Sequence, residues 1–195
     1  SEGWQDYAFT IPDGGGEAVD EIGVLVEYFG RVKFLGRLFL SEFSVSGPGR
    51  AVIDPTIEKQ EWGGLTRFTW NRGHWTIANG VIHAHTPGDA DAWTGNAYLR
   101  DVTVTADMTP LAGQSHLVSA RVQGTSRFYA AGFSGDEAVI VREDHGTTVL
   151  AHASFKREFG RSYAVALTAK GEMLSLSIDG TVVLTAVDAA FAYGQ

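Results

Sequence analysis

The chain has 195 residues, of which 44% are hydrophobic, so it is long enough to bury the core of one β-sandwich domain. Its net charge of −8 comes with no basic patch, which excludes the usual nucleic-acid-binding surface, and zero cysteines exclude disulfides and cysteine-based metal sites. No apolar run of the sequence is long enough to span a membrane. We therefore expect neither a nucleic acid nor a membrane as a partner, and the composition leaves a cytoplasmic or a secreted location open.

The first part of the chain contains two predicted strands and then a firm break. Residues 21–28 and 37–45 are rich in β-branched and aromatic side chains, and the run SGPG at 46–49 ends the pattern. Two strands are marginally stable alone, so this segment either completes the sheets of the following domain or belongs to a preceding one. The predicted divisions are an N-terminal β segment over 1–48, a connector over 49–65 and a sandwich over 66–195.

From about residue 66 the sequence predicts short strands at regular spacing. Asn79-Gly80 and Asp179-Gly180 are two-residue hairpin signals, and residues 97–107 alternate between apolar and polar positions as one strand. No helical period lasts longer than two turns. This pattern predicts an all-β fold, a jelly-roll β-sandwich.

The stretch 115–142 predicts three consecutive antiparallel strands. If Gln123 pairs with Arg127 across a loop at 124–126, then Arg121 lies opposite Tyr129. On this pairing one face is the core, and it carries Val118, Ala120, Val122, Phe128, Ala130, Val139 and Val141.

The opposite face of these strands is the predicted ligand surface. If Phe133 pairs with Ala138, Arg142 also lies opposite Tyr129, so Arg121, Tyr129 and Arg142 form one row that faces outward. Such a row is a suitable floor for a saccharide on the concave face of the sheet. An ordinary solvated sheet face is the alternative.

The loop before residue 97 supplies further candidates. Trp93 offers an apolar platform for the C–H face of a sugar, or else caps the edge of the sandwich, and Asn96 offers a polar contact. Asp89 and Asp91 are two residues apart and can provide carboxylate oxygens for a structural Ca²⁺, with a solvated polar loop as the alternative. No other cofactor is expected, and no catalytic residues are assigned.

Four stretches of the sequence resemble the concanavalin A-like (laminin-G-like) sandwiches. They are WNRGHWTIANGVIHAH, WTGNAYLRDVTVTADMTP, SARVQGTSRFYAAGF and FGRSYAVALTAKGEMLSLSIDGTVVLTAVD, within about residues 66–190. They look in particular like the modules appended to bacterial proteins with an ADP-ribosylglycohydrolase-type catalytic domain, and they are similar to the 3-keto-disaccharide hydrolase-like sandwiches. Residues 21–47 are similar to the closing strands of galactose-binding-like modules.

This resemblance implies a noncatalytic, lectin-like carbohydrate-binding module of a larger bacterial enzyme, with a saccharide as ligand and a parent catalytic domain in the same polypeptide. The motifs are structural turns and alternations, so they indicate a fold better than an activity. Two alternatives stay open. A glycoside hydrolase or lyase acting on a glycan or keto-sugar needs two converging carboxylates, and a structural module that docks on its parent domain needs a large apolar patch.

Overall fold

The computed structural model describes residues 4–12, 52, 54, 56, 59–61, 64–65 and 67–195. The chain divides into two compact units, residues 1–54 and residues 55–195. In the first unit, residues 4–12 form no regular secondary structure. The strands predicted at 21–28 and 37–45 lie outside the described residues, and the domain divisions drawn from the sequence stay predictions.

Among its described residues, the second unit begins with six short strands that pair two by two. The antiparallel pairs are β1 with β2, β3 with β6 and β4 with β5. Their bounds are Gln60–Glu61 (β1), Gly64–Leu65 (β2), Thr69–Arg72 (β3), His74–Ala78 (β4), Val81–His85 (β5) and Asp91–Trp93 (β6).

Two four-stranded antiparallel sheets follow and form the sandwich. Their eight strands are Val102–Met108 (β7), Ser115–Gly124 (β8), Arg127–Ser134 (β9), Glu137–Asp144 (β10), Thr147–Ser154 (β11), Tyr163–Lys170 (β12), Met173–Ile178 (β13) and Thr181–Val187 (β14). The first sheet has the order β11-β10-β9-β8 and the second the order β14-β13-β12-β7. The predicted all-β sandwich is therefore confirmed. None of the described segments forms a helix with the length and apolar character that crossing a bilayer requires.

The core lies between these two sheets, because alternate side chains of each strand point toward the opposite sheet. On β12 the residues Tyr163, Val165, Leu167 and Ala169 are buried, and the residues between them are more exposed. Phe133 of the first sheet packs on Tyr163 of the second, with 5.0 Å between the ring centroids. The first sheet contributes to this core Val118, Ala120, Tyr129, Ala131, Phe133, Ala138 and Ile140.

Local turn chemistry is confirmed at both predicted hairpins. Asn79 and Gly80 have φ values of 53° and 71°, and Asp179 and Gly180 have values of 50° and 79°. Positive φ at both central residues is the type I′ turn, whose twist matches that of the flanking strands. The strand predicted at 97–107 is shorter than expected, because regular pairing begins only at Val102.

The hairpin β8–β9 corrects the predicted register by one residue. Gly124 pairs with Arg127, and Ala120 pairs with Tyr129, whereas the sequence predicted Gln123 and Arg121 in those places. Since side chains alternate along a strand, a slip of one residue exchanges the two faces.

The next hairpin is as predicted, since Phe133 pairs with Ala138 and Arg142 pairs with Tyr129. The face assignment is nevertheless wrong for part of the predicted core. The side chains of Phe128, Ala130, Val139 and Val141 form a separate apolar cluster with Leu117, apart from the core between the sheets.

Candidate functional site

A bulge in β8 sets the geometry of the candidate site. The pairing of β8 with β9 jumps from Ala120 to Gly124, so residues 121–123 have no partner on β9. Arg121 has φ of 53°, a left-handed conformation that costs a side-chain-bearing residue about 1–2 kcal/mol. Such bulges bend a strand and redirect its side chains.

Residues 188–195, here named the closing segment, pair with the bulge instead. The Val122 N–H donates to the Gln195 carbonyl at 2.6 Å, and the Gln195 N–H donates to the Val122 carbonyl at 2.9 Å. Gln123 Nε2 donates to the Tyr193 carbonyl at 2.8 Å. Close contact is possible because Gly194 has no side chain: a Cβ there would lie 2.3 Å from the carbonyl carbon of Arg121.

The predicted outward row of Arg121, Tyr129 and Arg142 is not formed. Arg121 is 2% exposed and Tyr129 is 0% exposed. The physical reason is the register slip, which turns Tyr129 toward the core, together with the left-handed backbone of Arg121. These side chains therefore do not form the floor of an open sheet face.

Arg121 and Tyr129 instead hold the closing segment. Arg121 Nε donates to the Arg100 carbonyl at 2.9 Å, and its Nη1 donates to the Phe191 carbonyl at 2.8 Å. The Tyr129 hydroxyl donates to Asp188 Oδ1 at 2.5 Å and accepts the Phe191 N–H at 3.0 Å. The buried polar atoms of these two residues are thus bonded within the fold.

Arg142 completes this arrangement through Asp188, which sequence reasoning missed. Arg142 Nη1 lies 2.6 Å from Asp188 Oδ2, and the Ala190 N–H donates to Asp188 Oδ1 at 2.9 Å. We name Tyr129, Arg142 and Asp188 the anchor cluster.

Burial, hydrogen bonds and charges in the anchor cluster shift two pKa values. Burial, reinforced by the Asp188 carboxylate, raises the pKa of Tyr129 to about 12. Burial alone would raise the pKa of Asp188, but the hydrogen bonds from Tyr129 and from the Ala190 N–H and the positive charge of Arg142 outweigh it, so the pKa is lowered.

A cavity of about 470 Å³ lies beside the bulge and the closing segment. It combines two aromatic rings, two side-chain amides and one guanidinium. The lining residues are Trp93, Ala97, Val122, Gln123, Gly124, Arg127, Tyr193 and Gln195. Of the ligand-binding residues predicted from the sequence, Trp93 lines this cavity. We name the cavity the Trp93 cavity.

The polar side chains at the Trp93 cavity are partly fixed by neighbours. Gln195 Nε2 donates to the Gly95 carbonyl at 3.1 Å. Arg127 Nε lies 3.4 Å from Asp144 Oδ1, and the guanidinium carbon of Arg127 lies 5.1 Å from the centroid of the Phe191 ring. The cavity therefore presents oriented donors and acceptors beside apolar rings, the composition typical of small-molecule sites.

Asn96 is next to the lining residue Ala97 but does not itself line the cavity. Its Oδ1 accepts the Tyr98 N–H at 2.8 Å, and its carbonyl accepts the Leu99 N–H at 3.2 Å. Asn96 therefore shapes the loop that carries Ala97, as asparagine commonly does in turns.

Asp89 and Asp91, expected to hold Ca²⁺, have a different partner. Arg72 Nη1 lies 3.0 Å from Asp89 Oδ2, and Arg72 Nη2 lies 2.7 Å from Asp91 Oδ2. The hydrogen bond to Asp91 raises the pKa of Arg72. The described part of the chain contains no group of three or more His, Cys, Asp or Glu side chains placed to hold a metal ion. The guanidinium of Arg72 thus bridges the two carboxylates and offsets one of their two negative charges, and the Ca²⁺ site stays a prediction.

A second, smaller hollow of about 280 Å³ lies over the apolar cluster of the first sheet. Its lining includes Glu137, the first residue of β10, and Glu143, the next-to-last. Their Cα atoms are six positions apart along the strand, a distance of about 20 Å. Paired glycosidase carboxylates lie roughly 5–9.5 Å apart, so these two residues do not form such a pair.

No protein-family model matches the chain, and no curated protein matches it. Among solved structures, the chain is similar to the carbohydrate-binding module CBM66 from Bacillus subtilis, with a TM-score of 0.59 at 20% identity. The match covers 67% of this chain and 84% of that module. At this level of identity the similarity establishes a shared β-sandwich fold.

Proposed function

We propose that this chain is a noncatalytic carbohydrate-binding-type module of a larger bacterial enzyme, and that it binds a saccharide in the Trp93 cavity. The observation that carries the proposal is the combination of two aromatic rings with amide and guanidinium groups around one cavity of about 470 Å³. Sites for small molecules commonly have volumes of roughly 300–1,000 Å³. In this proposal the parent enzyme carries the catalytic domain, of ADP-ribosylglycohydrolase type or another.

The chemistry of a sugar ring fits this lining. One face of a pyranose or furanose presents C–H groups, which pack on an indole or phenol ring, while its hydroxyl edges need donors and acceptors. Trp93 and Tyr193 supply the rings, and Gln123 and Gln195 each supply an amide oxygen as acceptor. In this proposal Arg121, Tyr129 and Arg142 act indirectly, because they hold the closing segment that carries Tyr193.

The fold similarity to a carbohydrate-binding module supports this function over a hydrolase. A glycosidase of the usual kind needs a pair of carboxylates at one cleft. No carboxylate side chain is among the described residues that line the Trp93 cavity. The hydrolase alternative therefore has no catalytic pair at this site.

The test is a glycan-array screen, followed by calorimetric titration of each saccharide that binds. We expect Trp93→Ala and Tyr193→Ala each to weaken binding at least tenfold, about 1.4 kcal/mol or more, because each removes one of the two aromatic residues that line the site. Tyr98→Ala is the matched control, since Tyr98 is 80% exposed in the neighbouring loop and does not line the cavity. We expect its affinity to stay within about twofold of the unmodified chain.

Circular dichroism and thermal unfolding establish that both cavity variants fold. Unchanged affinity in the folded Trp93→Ala and Tyr193→Ala chains would contradict the proposed site. Failure of the unmodified chain to bind any glycan on the array would favour the alternative of a purely structural module.

A further inference from the structure

The charge of the side chains that line the Trp93 cavity supports a further inference about its ligand. Among its described lining residues, Arg127 is the single one with a charged side chain, and it is positive. The chain as a whole has a net charge of −8, so a positive group at a cavity runs against the general charge of the molecule. Cavities lined by one sign of charge favour ligands of the other sign.

Arg127 is held so that part of its donor set is free. Its Nε points toward Asp144 Oδ1 at 3.4 Å, and its side chain is 46% exposed. The Phe191 ring lies under the guanidinium, 5.1 Å from the guanidinium carbon. The terminal nitrogens Nη1 and Nη2 have no hydrogen-bond partner among the described residues. The contact with Asp144 involves Nε alone, so Nη1 and Nη2 remain as donors for a ligand.

We infer that the saccharide bound in the Trp93 cavity is acidic, a uronic-acid sugar whose carboxylate pairs with Arg127. This inference rests on the proposed function. The planar guanidinium fork matches the geometry of a carboxylate and can donate two parallel N–H bonds. A neutral hydroxyl can also accept from Arg127, but charge-assisted hydrogen bonds are roughly twice as strong as neutral ones. The preference for a carboxylate follows from that difference.

The rest of the lining agrees with an acidic sugar. A carboxylate in the cavity would repel an acidic ligand, and the described lining residues supply no such side chain. The amides of Gln123 and Gln195 are neutral, and the two rings serve the C–H face of an acidic sugar as well as that of a neutral one. In this arrangement the amides and aromatic rings bind the sugar ring, and Arg127 binds the carboxylate that the sugar carries.

The experiment compares ligands that differ only in their carboxylates. Tetramers of galacturonate, glucuronate and mannuronate are titrated beside their carboxyl-reduced counterparts, which keep the same linkage and ring. We expect at least one acidic tetramer to bind about tenfold or more tightly than its reduced form. We also expect the preference to shrink as NaCl rises from 50 to 300 mM, because salt screens exposed charges.

Variants of Arg127 assign the preference to this side chain. We expect Arg127→Gln to weaken binding of the acidic tetramer at least tenfold and binding of the reduced tetramer by less than threefold. Arg127→Lys should have an intermediate effect on the acidic tetramer. Arg161→Gln is the matched control: Arg161 is 51% exposed, pairs with Asp179 and lies 4.5 Å over the ring of Tyr163, but it does not line the cavity. Thermal unfolding of each variant checks that the fold is intact.

The outcomes separate this inference from the proposed function. If neutral saccharides bind, Trp93→Ala removes that binding, and acidic tetramers bind no more tightly than reduced ones, the inference is wrong and the proposed function stands. The inference is also wrong if an acidic preference survives in Arg127→Gln. If no saccharide of either kind binds, both proposals are wrong.

Discussion

Replacing Asp188 by Asn tests whether the anchor cluster holds the closing segment. The carboxylate accepts hydrogen bonds from Tyr129 and Arg142 at 2.5 and 2.6 Å, and its side chain is only 10% exposed. Bonds to a charged group contribute about 1.5–3 kcal/mol each, and loss of the charge halves them, which costs about 2 kcal/mol in total. The unpaired charge of Arg142 adds about 1 kcal/mol, a discounted figure because its side chain is 28% exposed.

We therefore expect Asp188→Asn to lower the free energy of unfolding by about 3 kcal/mol and Tm by about 10 °C, measured by urea and thermal denaturation. Asp89→Asn is the control, because Asp89 also pairs with an arginine but is 79% exposed. Asp89→Asn should lower the free energy of unfolding by less than about 1 kcal/mol. A loss below about 1 kcal/mol in Asp188→Asn would refute the reasoning, since the cluster would then contribute no more than a surface pair.

The same variant has a pH signature. The pKa of Asp188 is lowered in the folded state, so the ionised group stabilises the fold above the unfolded pKa, which is about 3.9. That contribution is lost as the pH falls through the folded pKa. The difference in stability between Asp188→Asn and the unmodified chain should therefore be full at neutral pH and shrink below about pH 4. A difference that does not change with pH would contradict the assigned role of the carboxylate.

Two more predictions concern the closing segment and the core beneath it. Gly194→Ala should cost more than about 2 kcal/mol in urea denaturation, because the new Cβ meets the backbone of Arg121. Gly171→Ala is the control, because Gly171 also has a positive φ but a Cβ there meets open space; it should lower the free energy of unfolding by about 1 kcal/mol. Equal losses of stability in the two variants would refute the clash at Gly194. Burial raises the pKa of Tyr129 to about 12 in the folded chain. The protonated hydroxyl therefore stabilises the fold below the unfolded pKa of about 10, and this stabilisation is lost as the pH rises from about 10 to 12. Tyr129→Phe should remove that part of the alkaline loss, and an unchanged alkaline profile would contradict the shift.

Local chemistry made much of the fold predictable. Asn79-Gly80 and Asp179-Gly180 have backbone preferences strong enough to fix a turn without help from distant residues. The strict alternation of β12 is a signal of the same local kind, because its outward positions are small or polar.

The register of β8–β9 could not be predicted, because both of its faces are apolar. Phe128 and Ala130 are as suited to a core as Ala131 and Phe133, so the pattern does not identify the inner face. The bulge at residues 121–123 could not be predicted either, since an arginine gives no local signal for a left-handed backbone.

The candidate site was only partly predictable for a related reason. Trp93 was identified from its residue type, although it ends strand β6 and does not lie in the predicted loop. Arg127 and Tyr193 reach the same cavity because the closing segment crosses to the bulge, some 70 residues earlier in the chain. Asp188 meets Tyr129 across 59 residues. Contacts at such separations depend on the finished topology, and no short motif records them.

Backbone pairing between the bulge and the closing segment borders the Trp93 cavity. The paired amides of Val122 and Gln195, and the bare Cα of Gly194, hold the frame whatever side chains surround the opening. A lining side chain such as that of Tyr193, which is 45% exposed, can therefore be exchanged at little cost to folding, so ligand preference can be redesigned on an unchanged framework. At the bulged strand, backbone contacts stabilise the fold, and exposed side chains are available for ligand binding.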